Sequence, residues 1–478
     1  MSMRKNLALS WLTVSPRFLP FADAATAELP LGRLLRLSLF QVSVAMAFVL
    51  LNGTLNRVMI LELSVPSSLV SAAISLPLLF APLRSIIGFR SDTYRSALGW
   101  RRVPFIWFGS LLQFGGLAIM PFALILLSGD TTGPEWIGYA SAALAFLLVG
   151  AGLHTTQTAG LALATDLASP KTRPRVVAFL YVMLLLGMVL SSTLYGGLLS
   201  SFSQMRLIQV IQGSAIASLI LNVLALWKQE PRNSLPRQFE ETRLGFIDAW
   251  NKFIFSKNGQ WGRLLLGVGL GTAAFSMQDI LLEPYGGEVL HLSVAETTLL
   301  TGILAAGTLL GFYFASQALS AGMNPFRLAG LGVIAGLAAF PAVILSAPAH
   351  SVALFRGGTL LIGMGGGLFS VGTLTAVMNM AEQENNGLAL GSWGAVQATA
   401  AGIAIAFGGF VRDSFANLAT SGALGDVLAS RATGYSTVYH IEIVLLFATL
   451  IAIGPLVGMD RVKKPELSAK FGLSEFPS

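Results

Sequence analysis

The chain is 478 residues long; 54% of them are hydrophobic, 11% are charged, and the mean hydropathy is +0.71. Soluble globular domains carry roughly 25% charged residues, so a water-soluble fold is excluded. Cysteine is absent, which removes thiol catalysis, disulfides and cysteine-ligated metal, and the net charge of +7 reads as loop charge facing anionic headgroups, with no nucleic-acid partner implied.

Residues 1–36 form an N-terminal segment expected in the cytoplasm. Pro16, Arg17 and Pro20 interrupt its apolar run, so no cleaved signal peptide is expected, and 7–21, with Trp11 and Phe18, suits either an interfacial segment or a disordered tail. Twelve apolar stretches follow, at about 37–60, 66–88, 103–128, 137–165, 176–200, 207–227, 262–284, 295–319, 326–346, 352–379, 388–410 and 438–459. Most reach the ~20 residues that cross ~30 Å of hydrocarbon. A bilayer offers no partner to backbone N–H and C=O groups, and no stretch alternates with the period of a barrel strand, so the spans are predicted helices. The fold class is all-α integral membrane with 12 transmembrane helices.

With the N-terminus inside, 25 of the 30 Lys and Arg fall in cytoplasmic segments, and the opposite loops hold Arg57, Arg206, Arg356, Arg412 and Arg431. The positive-inside rule then places both termini in the cytoplasm. A polar stretch divides the chain into a six-helix half (37–227), a cytoplasmic linker (228–261), a second six-helix half (262–459) and a tail (460–478). Gly88 to Gly99 recurs as Gly311 to Gly322, and Gly150-Ala151-Gly152-Leu153 recurs as Gly365-Gly366-Gly367-Leu368, at offsets of 223 and 215. Parallel duplicated halves predict the major facilitator architecture.

Gly88-Phe89-Arg90-Ser91-Asp92 followed by Gly99-Trp100-Arg101-Arg102 resembles the signature loop of that superfamily, in which an Asp at a helix end pairs with Arg. The stretch from Asp92 to Gly99 is longer than the usual pattern, and Ala315 stands where the second copy would carry an acid. An ordinary positive-inside loop is the alternative.

Polar groups at membrane depth are costly, so each is a candidate site. Span one carries Asn52-Gly53-Thr54-Leu55-Asn56-Arg57, span four carries His154-Thr155-Thr156-Gln157 and ends in Asp166, span seven carries Gln278-Asp279 and Glu283-Pro284-Tyr285-Gly286, and span twelve carries Tyr439-His440-Ile441-Glu442. Together with Pro77 to Pro82 these motifs resemble the bacteriochlorophyll-delivery (PucC/LhaA) family of the major facilitator superfamily, over about 36–457. The resemblance implies an assembly factor for light-harvesting antenna in the inner (intracytoplasmic) membrane of purple phototrophic bacteria. The long N-terminus leans toward the LhaA type, which serves the core antenna, over the PucC type, which serves the peripheral one. It further implies bacteriochlorophyll, with carotenoid or lipid as further ligands. The implied partners are core antenna alpha and beta polypeptides, the reaction centre core complex, bacteriochlorophyll synthase and insertion machinery, and membrane lipids.

Bacteriochlorophyll magnesium accepts a neutral imidazole as axial ligand. Of four histidines, His154 alone is expected deep in the membrane and is the first candidate for the pigment magnesium; His440, at the expected mouth of span twelve, is the second, and a hydrogen-bonded structural role is the alternative for each. Asp279 and Glu283, four apart, are expected on one helix face. With Glu442 they would suit a proton-coupled transporter, but structural pairing, with Arg57 nearby, is the favoured reading. Asn52, Asn56, Arg57, Gly88, Asp92, Arg101, Arg102, Gln157 and Asp166 complete the candidate interhelical polar set. Gly187, Gly196-Gly197 and Gly363 to Gly367 lie inside spans, where they allow close helix packing, and no nucleotide loop, zinc pattern or catalytic triad is evident, so an enzyme is not expected. A pigment tail would fit an apolar lateral groove, for which Phe105, Trp107, Phe114 and Trp393 are candidates. Antenna assembly, proton-coupled transport and simple pigment or lipid carriage are the three functions to separate.

Overall fold

The computed structural model describes residues 26, 29–79, 99–128, 134–169, 172–230, 260–380 and 386–462. Gly88, Asp92, most of the linker and the 7–21 segment lie outside them. The described residues contain helices and no strand: α1 Leu31–Glu62, α2 Ser67–Leu79, α3 Val103–Leu127, α4 Glu135–Leu167, α5 Arg173–Leu198, α6 Gln204–Leu226, α7 Gln260–Ser276, α8 Leu282–Glu288, α9 Val294–Ser320, α10 Pro325–Ser346, α11 Val352–Met380, α12 Asn386–Thr420 and α13 Ala432–Ile453. Ten are long and apolar enough to cross a membrane. The two remaining expected spans are α2, which borders undescribed residues, and the pair α7 and α8, a single expected crossing that is broken.

Local chemistry sets the ends. Asn324 caps α10 by accepting from the N–H groups of Phe326 (2.8 Å) and Arg327 (3.2 Å), with Pro325 in the first turn, where its missing N–H costs nothing. Ser293 and Glu296 form a reciprocal capping box on α9. At α3 the cap comes from afar: the Glu230 carboxylate, just past α6, accepts from the backbone N–H of Arg101 (2.8 Å), Arg102 (3.1 Å) and Val103 (2.9 Å). A negative charge on a helix N-terminus is stabilising, and here it also ties the end of the first half back onto its third helix.

The glycine echo is a repeat of packing. Gly99 and Gly322 both hold positive φ (78° and 82°), making equivalent turns before α3 and α10. In the first half Gly150 admits Pro77 of α2 and Gly152 admits the backbone of α3 at Gln113 and Gly109. In the second, Gly367 meets α9 at Thr308 and Gly311, while Gly365 meets α10 at Gly332. In both halves a glycine pair seats the fourth helix against the second and third, but the two members exchange roles, so the sequence alignment of the echo holds only in outline.

Both described chain ends lie at one end of the bundle, the termini end. Contacts between the halves gather at the opposite, far end. There α2 meets α12, with Gly409 admitting Ser67 and Ser71, and the Ser68 N–H donating to Asp413 Oδ2 at 2.7 Å. Likewise α5 meets α9, with Gly302 admitting Ser192 and Gly196 lying against Leu299. The buried core runs through both halves at this seam, from Val44 to Met59 in α1 and across Tyr285, Leu300, Tyr435 and Tyr439.

Candidate functional site

The break between α7 and α8 builds the centre of the molecule. Pro284 has no N–H, so in a continuous helix the carbonyl of Ile280 would lose its partner and meet the proline ring. The chain instead leaves the helix as a turn over 277–281, and Asn56 Nδ2 of α1 donates to the freed Ile280 carbonyl at 3.1 Å. Opposite it, α1 is itself irregular, π-helical over Val49–Leu55 and Val58–Glu62, the stretch that carries Asn52 and Asn56, both buried. Short π segments recur at functional sites. The first helix of each half is therefore distorted where the two meet.

Three carboxylates collect around this break. Glu283, 3% exposed, accepts from Thr301 Oγ1 at 2.8 Å and from Asn56 Nδ2 at 3.4 Å. Asp279 sits in the turn, half-buried, and accepts from Gln278 Nε2 at 2.9 Å. Glu442, on α13, is fully buried, and among the described residues neither of its oxygens has a hydrogen-bond partner; the hydroxyl of buried Tyr439 also lacks one. Because the chain leaves the helix between them, Asp279 and Glu283 do not share a helix face as their spacing predicts. Arg57 does not serve them either: it pairs with Glu62 and donates to the Leu292 carbonyl at 3.2 Å.

Sequence reasoning missed the staples above this centre. Thr54 and Thr298 bridge the halves at 3.1 Å. Within the second half, Arg412 binds Glu288, Asp413 (3.0 Å) and the Tyr435 hydroxyl (2.9 Å), and Arg431 adds a second cation to Glu288 at 3.5 Å. Their signal was visible as the five far-end arginines, each of which is engaged: Arg206 binds Ser201, and Arg356 binds Glu296 at 3.4 Å.

The remaining candidates are dispersed. Asp166, at the end of α4, pairs with Arg101 and Arg102, each at 3.0 Å, inside the first half and not across the seam. His154 and Gln157, three residues apart on α4, are half-buried, and His154 Nδ1 has no partner among the described residues. His440 lies 8 residues into α13, ~12 Å along the axis from its first residue. Its Nδ1 meets the Ser436 carbonyl at 2.7 Å. A carbonyl can only accept, so Nδ1 carries the proton and Nε2 of the neutral ring keeps its lone pair. The side chain is exposed, on a stripe with Val444, Phe447 and Ile451, the last 73% exposed. It is a polar ring on a face otherwise clothed for lipid.

A lateral cavity of about 580 Å³ opens between α5 and α6, floored by Met46 and Tyr195 and walled by Leu194, Leu198, Val210 and Ala217, with Arg206 and Gln209 at its polar edge. Gly197 and Gly213 line it, and a Cβ on either would meet open space. Phe105, Trp107, Phe114 and Trp393 do not line it; Trp393 Nε1 donates to Thr373 at 3.2 Å.

The family model for the PUCC protein matches residues 54–460. The chain belongs to the PUCC protein family. It is 58% identical to protein PucC of Rhodovulum sulfidophilum over 84% of this chain and 89% of that one. It is 54% identical to an uncharacterized protein in the puhA-bchM intergenic region of Rhodobacter capsulatus, over 99% of this chain and 98% of its relative. Among solved structures it is similar to a bacterial homolog of the human lysosomal transporter Spinster in an inward-facing, unoccupied conformation, with a TM-score of 0.68 and 15% identity over 91% of this chain and 98% of that one. The PUCC family member described here thus has the major facilitator fold, and it is a multi-pass membrane protein.

Proposed function

We propose that this PUCC family member is an assembly factor for the core light-harvesting antenna, handling bacteriochlorophyll as cargo and passing it to antenna alpha and beta polypeptides around the reaction centre. It works in the bacterial inner membrane with both termini cytoplasmic, and it is not an enzyme. Family membership supports a place in the assembly of photosynthetic pigment complexes. The observation on this chain that carries the pigment reading is His440. A single imidazole on a lipid-facing stripe is costly unless something binds it. Its Nδ1–H is held by a backbone carbonyl, the second-shell arrangement that fixes a ligating histidine's tautomer and raises its basicity, so Nε2 fits an axial ligand to magnesium. His154 offers an unpartnered nitrogen as well, but its Nδ1 is enclosed, so His440 takes precedence. The α5–α6 cavity, in the other half from His440, is a separate site: its volume lies within the range of ligand pockets, and its apolar walls and polar rim suit the tail of a second pigment or a lipid.

The test is a mild-detergent purification of tagged protein from phototrophic cells, with absorption spectra and mass analysis of what accompanies it. Wild type is expected to carry bacteriochlorophyll and core antenna polypeptides, and His440→Ala to lose most of the pigment at unchanged yield. Pigment content equal in wild type and His440→Ala would end the ligand assignment; intact core rings in a deletion strain would end the assembly role. The 58% identity to protein PucC supports a second reading, a peripheral-antenna factor, for which the deletion strain would lose the peripheral complex alone.

A further inference from the structure

The rim of the α5–α6 cavity has a charge imbalance that the pigment reading does not touch. Of the five far-end arginines, four meet carboxylates: Arg57 binds Glu62, Arg356 binds Glu296, and Arg412 and Arg431 bind Glu288. Among the described residues Arg206 binds none. Its Nη1 donates to the Ser201 carbonyl at 3.0 Å and to the Ser201 hydroxyl, both neutral acceptors. Arg206 is also the third residue of α6, in the first turn, where backbone N–H groups without intrahelical partners already carry partial positive charge, so its own charge stands at the unfavourable end of the helix. The cap there is neutral too: the Ser203 hydroxyl accepts from the Arg206 N–H at 3.1 Å. Two positive contributions therefore stand together at the edge of the hydrocarbon, and no described anion faces them.

The cavity leading away from that charge has the dimensions of a chain. Arg206, Val210, Gly213 and Ala217 recur at three- and four-residue intervals, so one face of α6 lines it from residue 206 to 217, ~16 Å along the axis. That is about half of the ~30 Å of hydrocarbon in a bilayer, the depth of a single leaflet. The walls are apolar for this whole length, and the floor is buried Tyr195, whose hydroxyl lies 3.5 Å from the Met46 carbonyl. Gly197 and Gly213, with no neighbour where a side chain would stand, leave the lipid side open. A pigment uses neither end of this site: bacteriochlorophyll has no anionic group for Arg206, and among the described residues no histidine lines the cavity to hold its magnesium.

We propose that the α5–α6 cavity binds one anionic phospholipid of the far-end leaflet, with an acyl chain between the helices down to Met46 and Tyr195 and the phosphate on Arg206 and Gln209 at the rim. Charge complementarity decides the head: an anionic lipid supplies the missing negative charge, whereas a zwitterionic one brings a second cation to the same rim. This narrows the occupant of the cavity from pigment or lipid to lipid. It rests neither on the assembly role nor on His440, so either can fail alone.

The test uses the full chain, produced in a host that makes no bacteriochlorophyll, stripped of lipid in detergent and titrated with phosphatidylglycerol or with phosphatidylcholine of the same acyl chains. Bound lipid is counted by native mass spectrometry. The first phosphatidylglycerol is expected to bind about five-fold more tightly than phosphatidylcholine, the factor that one basic side chain near a headgroup supplies, and added salt should shrink the preference. Arg206→Gln should remove the preference, and Arg206→Lys should restore most of it. Gly213→Trp, which fills the cavity from a position with open space around it, should displace the tightly held lipid whatever its head. Arg206→Gln, at an exposed position, keeps the test alive if Gly213→Trp does not fold. Equal binding of the two lipids, or a preference that survives Arg206→Gln, overturns the proposal. So does a lipid that stays bound in folded Gly213→Trp, which would place it on the outer surface. Bacteriochlorophyll added to the stripped protein, if it binds ahead of phosphatidylglycerol and is lost in Gly213→Trp, would give the cavity to a pigment and overturn the proposal as well.

Discussion

The two ends of this bundle are tied by different kinds of bond. At the far end, contacts cross from half to half: Ser68 to Asp413, Thr54 to Thr298, Asn56 to Ile280 and Glu283, Arg57 to Leu292, with glycines at 302 and 409 letting backbones close. At the termini end, the polar links among the described residues stay within one half. Arg33 binds Gln229, Arg101 and Arg102 bind Asp166, Arg263 donates to Ala452 (2.8 Å) and Ile451, and Asn324 donates to Val457. The described residues are thus fastened half to half across the far end, and within each half at the other. Rigid halves that rock about a seam need this division: stiff links inside each half, and between halves a set of weak bonds, each worth little alone.

The largest effect is expected from removing Arg412. Glu288 is 14% exposed and depends on Arg412, with Arg431 a more distant and more solvated partner. Arg412→Ala would leave that carboxylate with only the Tyr435 hydroxyl, which donates to it at 2.8 Å, and the distant Arg431, at a cost of ~2–4 kcal/mol, between the values for exposed and buried pairs. Thermal unfolding in detergent measures it. Arg412→Lys should recover less than half, because one ammonium nitrogen lacks the planar fork by which Nη1 reaches Asp413 while Nη2 reaches Glu288 and Tyr435.

Gly409→Val tests the seam more directly. A Cβ there would stand 2.6 Å from Ser71 Cβ and 2.7 Å from the Ser67 carbonyl, so α2 and α12 must separate. Overpacking of this kind costs ~1–3 kcal/mol. The informative readout is far-end opening: a cysteine placed at Ser68 should label several-fold faster with a water-soluble maleimide than in the unsubstituted background. Equal labelling rates would mean that the far end is not held by this contact.

How much of this was legible follows from what hydropathy can report. It reports desolvation, so every expected span reappears as one helix except the seventh, which is broken, and the second, whose latter part lies outside the described residues. The seventh reads as a continuous apolar run because the broken turn is buried too; Pro284 was the visible sign, and its meaning needed Asn56 to be opposite. The same limit hid how far α13 extends before His440. Thr433, Ser436 and Thr437 look like a polar loop, but Thr437 Oγ1 donates to the Thr433 carbonyl at 2.8 Å and His440 bonds Ser436, so the residues satisfy themselves inside a helix that begins at Ala432. Arg57 was expected to compensate Glu283 because both lie toward the same side. Sidedness alone does not give direction, and Arg57 turns to Glu62. Asn56, Arg101, Arg102 and Asp166 stood out as polar groups in an apolar chain, and each bonds to a neighbouring element, but which partner each takes is set by the packing and is not legible in the sequence.

Thr298→Val removes the hydroxyl that meets Thr54 and keeps the shape. Thr298 also bonds its own helix at Val294, so the loss to the seam is one neutral pair, ~0.6–1 kcal/mol as for other interhelical bonds in membranes. A double-mutant cycle with Thr54→Val isolates it. If the coupling is zero, the two hydroxyls are neighbours without being partners.

The smallest effect should come from the other end, and the contrast depends on it. Asp166 is 38% exposed and Arg101 26%, and asparagine keeps an acceptor oxygen for the buried Arg102, so Asp166→Asn should cost no more than ~1 kcal/mol even though it disrupts two ion pairs. More tellingly, it should leave the far-end labelling rate untouched, because its described links join the end of α4 to the two arginines just before α3. Arg101 and Arg102 are in any case anchored through their backbone by Glu230, which keeps α3 capped when the aspartate's charge is gone. If Asp166→Asn instead changes seam opening as much as Gly409→Val does, the termini-end links are not local. The halves would then be coupled through their bases, and the division between stiff interiors and a weak seam would have to be abandoned.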